Sequence, residues 1–238
     1  MGEDKELIKN GERLDGRKPD EIREMEAEAG ILKRADGSGY FRMGGTEVLA
    51  AVFGPRELHP KHKQKPKTGI LQCRYNLAPF SVEDRKRPGP SRRAKEIGKV
   101  AEGALSSCIF LEEFPTATID LYMEVISADA GTRCVALNAG AIALVDAGIP
   151  MKGIISACAA GKIEGKPVLD LMGKEDKDGQ VDLPIAMNVE SGEITLLQMD
   201  GMTNVEEMDE MLDLAIEGCE KVAEKQREAL MEAFEDVE

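Results

Sequence analysis

Apolar and polar positions along this chain recur with two different periods, and the changes of period divide it into elements. Met25, Ala27 and Ala29 alternate with Glu24, Glu26 and Glu28, the pattern of a strand with one buried face. Gly37-Ser38-Gly39 and Gly44-Gly45 supply turns, and the apolar run over 48–53 suits a central strand. Residues 56–68, rich in lysine and carrying Pro60 and Pro66, read as a long flexible loop before a further strand over 70–77. Ser91 is placed to cap a helix predicted over 92–111, where Ile97, Val100, Ala101, Ala104, Leu105, Cys108 and Ile109 recur at helical spacing. Ile119, Leu121, Met123 and Val125 then mark another strand, and a small-residue helix over 135–147 stops at Gly148 and Pro150. Strands are predicted at 154–159, 168–171, 181–189 and 194–198. A long amphipathic helix over 205–234 closes the chain, its stripe running from Val205 through Met211, Ala215, Cys219 and Val222 to Leu230.

Groups of strands interrupted by three helices predict an α+β fold of layered sheets and helices. With 238 residues and no sharp internal repeat, the chain reads as a single domain, 1–238, in which 1–20 form an N-terminal arm. No apolar run reaches the roughly eighteen residues that a membrane span needs. Glu3, Asp4 and Glu6 leave the first ten residues without the apolar centre of a secretory signal. The five cysteines are scattered, with no CxxC or Cys/His cluster, as expected of buried thiols in a reducing cytosol. A cytoplasmic protein is therefore expected.

Charge changes the picture through its distribution. The net charge is −14, yet residues 56–99 hold thirteen basic and four acidic side chains, a local +9 that leaves −23 for the rest. One basic region on an acidic body is the signature of a polyanion track, or of nothing more than a solvated loop.

Three constellations could carry chemistry. Asp129-Ala130-Gly131-Thr132-Arg133 joins a strand to a helix, and a helix N-terminus offers unpaired N–H groups to an anion. There Gly131 permits close approach, Thr132 adds a hydroxyl and Arg133 a planar fork matched to phosphate oxygens. The plain alternative makes Thr132 an N-cap and Arg133 a solvated charge. Asp176 and Asp182 flank Asp178-Gly179, read as a tight turn that brings the two carboxylates together. Close carboxylates make a general acid or a hard-cation site, although exposed acidic turns are common. Ser91-Arg92-Arg93 puts two cations at a helix N-terminus, against the dipole, which suits a phosphodiester backbone or a merely solvated first turn. Beside them Arg74 precedes Tyr75, which would stack on a base or pack under the sheet. His59 and His62 lie apart from all of these, and no GxxxxGK[ST] loop is present, so a nucleophilic triad or a nucleotide P-loop is not expected.

Leu14-Asp15-Gly16-Arg17, the segment 74–81 (Arg-Tyr-Asn-Leu-Ala-Pro-Phe-Ser), Ser91-Arg92-Arg93, Ala130-Gly131-Thr132-Arg133, Val181-Asp182-Leu183-Pro184 and the segment 195–201 (Thr-Leu-Leu-Gln-Met-Asp-Gly) follow one another in order. Together they closely resemble the RNase PH family, and within it the catalytic subunits of archaeal exosomes. The resemblance implies a ribosomal protein S5 domain 2-like fold. It also implies a hexameric ring in which this subunit alternates with a related inactive one beneath S1/KH-type caps. The reaction it implies is 3′→5′ phosphorolysis of single-stranded RNA, with inorganic phosphate as co-substrate and nucleoside diphosphates as products. On that resemblance Gly131, Thr132 and Arg133 bind phosphate and Asp182 is the general acid. Asp176 is its support or a magnesium-binding partner, Arg92 and Arg93 hold the RNA backbone, Arg74 and Tyr75 contact RNA, and the 56–68 loop lines the pore. Thr132 stands where the family often has serine, and Val181 where it usually has alanine; neither change removes a reactive group. Three other readings are a non-catalytic scaffold that threads RNA, a bacterial-type transfer-RNA-trimming enzyme, and a two-metal hydrolytic nuclease. The carboxylate pair with Arg133 speaks against the first, segment 195–201 and the acidic last helix against the second, and the sparse acidic ligands against the third.

Overall fold

A computed structural model describes residues 7–9 and 11–235. Two short strands, β1 (Ile8–Lys9) and β2 (Glu12–Arg13), form a hairpin. They are followed by β3 (Met25–Ala29), β4 (Gly37–Met43), β5 (Thr46–Glu57), β6 (Ile70–Leu77), α1 (Arg92–Ser106), β7 (Ala117–Ser127) and α2 (Thr132–Asp146). The rest comprises β8 (Ile155–Ile163), β9 (Lys166–Leu169), α3 (Gly173–Asp178), β10 (Val181–Asn188), β11 (Glu193–Leu197), β12 (Asp200–Gly201) and α4 (Val205–Glu235). Strands β3-β4-β5-β7-β6 make one sheet, antiparallel except for the β6–β7 pair. Strands β11-β10-β8-β9 make the second, with β12 also paired to β10. This is the expected α+β layering.

Helix α2 is packed between the sheets, against β4 and β5 on one side and β8 on the other. Its amphipathicity is weak because its surroundings are apolar all round: Cys134 to Leu144 are buried without a break. One apolar cluster runs from Phe41, Val48 and Leu121 through Leu137 and Ile142 to Ile155 and Ala186. The close approach is set by glycine. A Cβ on Gly37 would lie 2.2 Å from the Ala147 nitrogen, and one on Gly39 2.5 Å from the Ala139 oxygen. Helix α4 lies on β8 and β3, and α1 on β6. Among the described residues no helix is long and apolar enough to cross a membrane.

Four local expectations are corrected. Helix α1 ends at Ser106, five residues early, because the Ser107 hydroxyl turns back to the Ala104 carbonyl at 2.8 Å and Ile109 leaves to bridge Met151. Helix α2 starts three residues early, at Thr132. Residues 173–178 are a helical turn and a half, not a β-turn, because the buried Glu175 carboxylate accepts the Met172 N–H at 2.9 Å and pairs with buried Arg13. The expected arm is, over its described part, a docked hairpin: Leu7 and Ile8 pack on Ile163, Val168 and Leu171. Residues 1–6 and 10 of that arm lie outside the described residues.

Candidate functional site

The cleft forms where α2 begins. The chain leaves β7, passes Ala130 (φ 60°) and Gly131 (φ 64°) in the left-handed region, and enters the helix with Gly131 as N-cap. Thr132 is thus the first helical residue rather than the cap. The opening N–H groups of the helix, which have no intrahelical partners, face a cleft of about 690 Å³. Gly131, Thr132, Arg133, Arg93, Asp176 and Asp182 all line it. Arg133 holds its Nε buried with no hydrogen-bond partner among the described residues, a donor left over for something else.

Asp182 sits near the start of β10, between Gly161 of β8 and Asp200 of β12. Burial pushes its carboxyl up to about 6, the neighbouring Asp176 and Asp200 charges push the same way, and Arg133 and Arg93 oppose them. Such a group can hold a proton near neutral pH and release it to a leaving oxygen. Cys134 also lines the cleft, but burial drives its thiol far above neutrality, so it is no nucleophile. His59 and His62 are exposed on the 56–68 segment, away from the lining residues.

The structure therefore gathers Gly131, Thr132, Arg133, Asp176, Asp182 and Arg93 into one cleft, and leaves three candidates outside it. Tyr75 offers no ring face for a base: it is 4% exposed, and its hydroxyl donates to the Thr132 hydroxyl oxygen at 2.9 Å. It orients Thr132 instead. Arg74, one residue earlier on β6, points to the opposite sheet face, with its guanidinium 5.9 Å above the Tyr122 ring. Arg92 is exposed at the first position of α1 and does not line the cleft. Ser91 does cap that helix, accepting the Ala94 N–H at 3.0 Å. Sequence reasoning missed Lys174 and Lys177, which line the cleft from α3, and Asp200, which faces Asp182 across β10–β12. The spacing of Lys174 and Lys177, three apart around Asp176, was the available signal, hidden by reading the segment as a turn.

Residues 21–150 match the 3′ exoribonuclease family, domain 1 (RNase PH), and residues 153–218 match its domain 2. Exosome complex component Rrp41 of Methanopyrus kandleri is 53% identical over 228 residues, covering 96% of this chain and 95% of that one. Its counterpart in Thermococcus onnurineus is 54% identical over 233 residues, 98% of this chain and 94% of the other. A chain from the Archaeoglobus fulgidus exosome, solved with RNA bound to the active site, superposes with a TM-score of 0.79 at 21% identity. It covers 91% of this chain and 93% of its own, a likeness of fold.

Proposed function

Because this chain belongs to the RNase PH family of 3′ exoribonucleases, we propose that it is the RNA-degrading subunit of an exosome ring and that it cuts by phosphorolysis. The observation that carries the mechanism is the convergence of two features on one cleft. One is a helix N-terminus with Thr132 and the unpartnered Arg133 Nε; the other is Asp182, its carboxyl held at about 6.

Inorganic phosphate is its own nucleophile, so the protein needs only to position it, neutralise charge and supply a proton. Phosphate rests on the α2 N–H groups, Thr132 and Arg133. One of its oxygens attacks the phosphorus of the 3′-terminal nucleotide, and the bond from that phosphorus to the penultimate O3′ breaks. Asp182 gives its proton to O3′, the terminal residue leaves as a nucleoside diphosphate, and the carboxylate regains a proton from solvent. Arg93 holds the backbone, and Lys174 and Lys177 add positive charge to the same cleft from α3. Arg92 is left to more distant RNA. Asp176, and Asp182 in its ionised form after the proton has gone, would be hard oxygen donors suited to magnesium, which would supply charge neutralisation. The alternating inactive subunit, the S1/KH-type caps, a pore lined by the 56–68 loop and a cytoplasmic location complete the proposal.

The test is to incubate the chain, alone and with a ring partner, with 5′-labelled single-stranded RNA, with and without phosphate. Diphosphates that appear only with phosphate are expected. Monophosphates without phosphate would replace the mechanism with hydrolysis, and no product even in a ring would favour a threading scaffold.

Asp176→Asn tests the carboxylate pair. A neighbouring negative charge raises the pKa of Asp182, so removing it lowers that pKa and depletes the protonated acid at neutral pH. The alkaline limb of kcat/KM is expected to move to lower pH, though only part of the way, since burial remains the larger cause. An unmoved limb would mean that Asp176 does not act through Asp182.

A further inference from the structure

The left-handed turn that opens the anion site is held from behind by residues that never reach the cleft. Ala130 carries a Cβ, and a non-glycine residue at φ 60° persists only where its surroundings enforce it. Thr46, fully buried at the start of β5, is the first constraint. Its hydroxyl accepts the Asp129 N–H at 2.9 Å and donates to the Ala130 carbonyl at 2.7 Å, bracing the turn on both sides of one peptide. Arg23 is the second. Its guanidinium is 6% exposed and donates to the Asp129 carbonyl at 2.6 Å. It also grips the Asp170 carboxylate through Nε and Nη2, each at 2.7 Å. It lies directly behind Gly131, where an added Cβ would meet Nη2 at 3.2 Å. Asp170 is itself a left-handed non-glycine residue, φ 53° and 2% exposed, so a single arginine ties two strained backbone sites together. The Asp129 carboxylate then accepts the N–H of Gly173 at 3.2 Å, linking the turn to the first residue of α3, the helix that carries Asp176.

We propose that Thr46 and Arg23 are positioning residues for phosphate: they preset the 130–131 turn, and with it the α2 N–H groups, Thr132 and Arg133, before the anion arrives. The inference rests on reading this turn as the phosphate site. Its physical content is pre-organisation, since a turn free to relax to ordinary backbone angles must be re-ordered by the ligand at a cost in affinity. Neither residue touches the track that Arg93 and the α3 lysines offer to RNA, and the turn reaches α3 only through the Asp129–Gly173 bond, so the cost falls chiefly on phosphate.

The assembled ring is compared with rings carrying Thr46→Val, Thr46→Ser or Arg23→Lys. Valine keeps the volume of threonine without its hydroxyl, serine keeps the hydroxyl, and lysine cannot make the two-pronged grip on Asp170 while reaching Asp129. Thr46→Val and Arg23→Lys are expected to raise the phosphate KM on the order of tenfold, with the RNA KM changed less than about twofold. Thr46→Ser should stay near the wild type. A second readout needs no turnover: inorganic phosphate should raise the melting temperature of the wild-type ring, and raise it less in Thr46→Val and Arg23→Lys. Equal rises in both KM values, a serine variant as impaired as the valine one, or an undiminished phosphate-induced shift would each overturn the proposal. Cleavage by the wild type without phosphate would overturn the phosphorolytic reading instead, while the melting arm would still judge the turn. If Thr46→Val does not assemble, Arg23→Lys probes the same turn from the other side of the peptide, with the same outcomes for and against.

Discussion

Asp182→Asn is expected to reduce phosphate-dependent cleavage on the order of 10²–10⁴-fold, the range that a positioned general acid contributes, while RNA binding persists. Asparagine fits the space of the carboxyl but has no proton to give to O3′. The same substitution is expected to make the folded chain more stable at neutral pH, and the sign follows from the pKa. The folded state holds this proton up to about 6, against 3.8 for the free group, so between those values folding binds a proton and stability falls as pH rises. Above about 6 the penalty for the buried charge is complete, and asparagine removes it; well below 3.8 the two chains should melt alike. Activity assays paired with melting curves across this span check both limbs. A variant that loses activity and is also less stable at neutral pH would show Asp182 to be a structural ion-pair member, and the acid role would fall.

The oddity of Asp182 was legible in the sequence, where a carboxylate near the start of an otherwise apolar strand is out of keeping with its neighbours; its burial beside Asp176 and Asp200 was not. The strand alternation at 25–29 and 119–125 and the glycine-opened junction at 131 were legible for the same reason: each is encoded within a few residues. The two side chains at 74 and 75 were also partly readable. Adjacent residues of a strand face opposite ways, so Arg74 and Tyr75 could not both reach one cleft. Which of them faces inward depends on where α1 and α2 pack, and that is not local information. Helix α3 was not readable at all. Its six residues, Gly-Lys-Glu-Asp-Lys-Asp, have no apolar stripe, and its conformation is fixed by an arginine 162 residues away in sequence. Thr46 and Arg23 were invisible for a related reason. A threonine at a strand start and an arginine in a polar stretch acquire their roles only when β5 and the 20s segment meet the turn after β7.

That distant arginine sets the second large expectation. Arg13 and Glu175 both have fully buried side chains, joined by Nε to Oε1 at 2.9 Å and by Nη2 to Oε2. Arg13 also donates to the carbonyls of Leu169 and Asp170, fastening the N-terminal hairpin to β9 and the start of α3. A buried pair adds little net stability over a well-packed apolar pair, but removing one partner strands the other charge in the core. Arg13→Met, close in length and apolar, is therefore expected to destabilise the chain by about 3–5 kcal/mol, lowering the melting temperature on the order of 10 °C. Arg13→Met/Glu175→Gln, which removes the stranded charge together with its partner, should recover part of the lost stability. Because α3 carries Asp176, Lys174 and Lys177, cleavage should weaken with the latch even below the melting point. If Arg13→Met melts within a degree or two of the wild type, the hairpin is only resting on the second sheet, and α3 must be held by its own capping contacts.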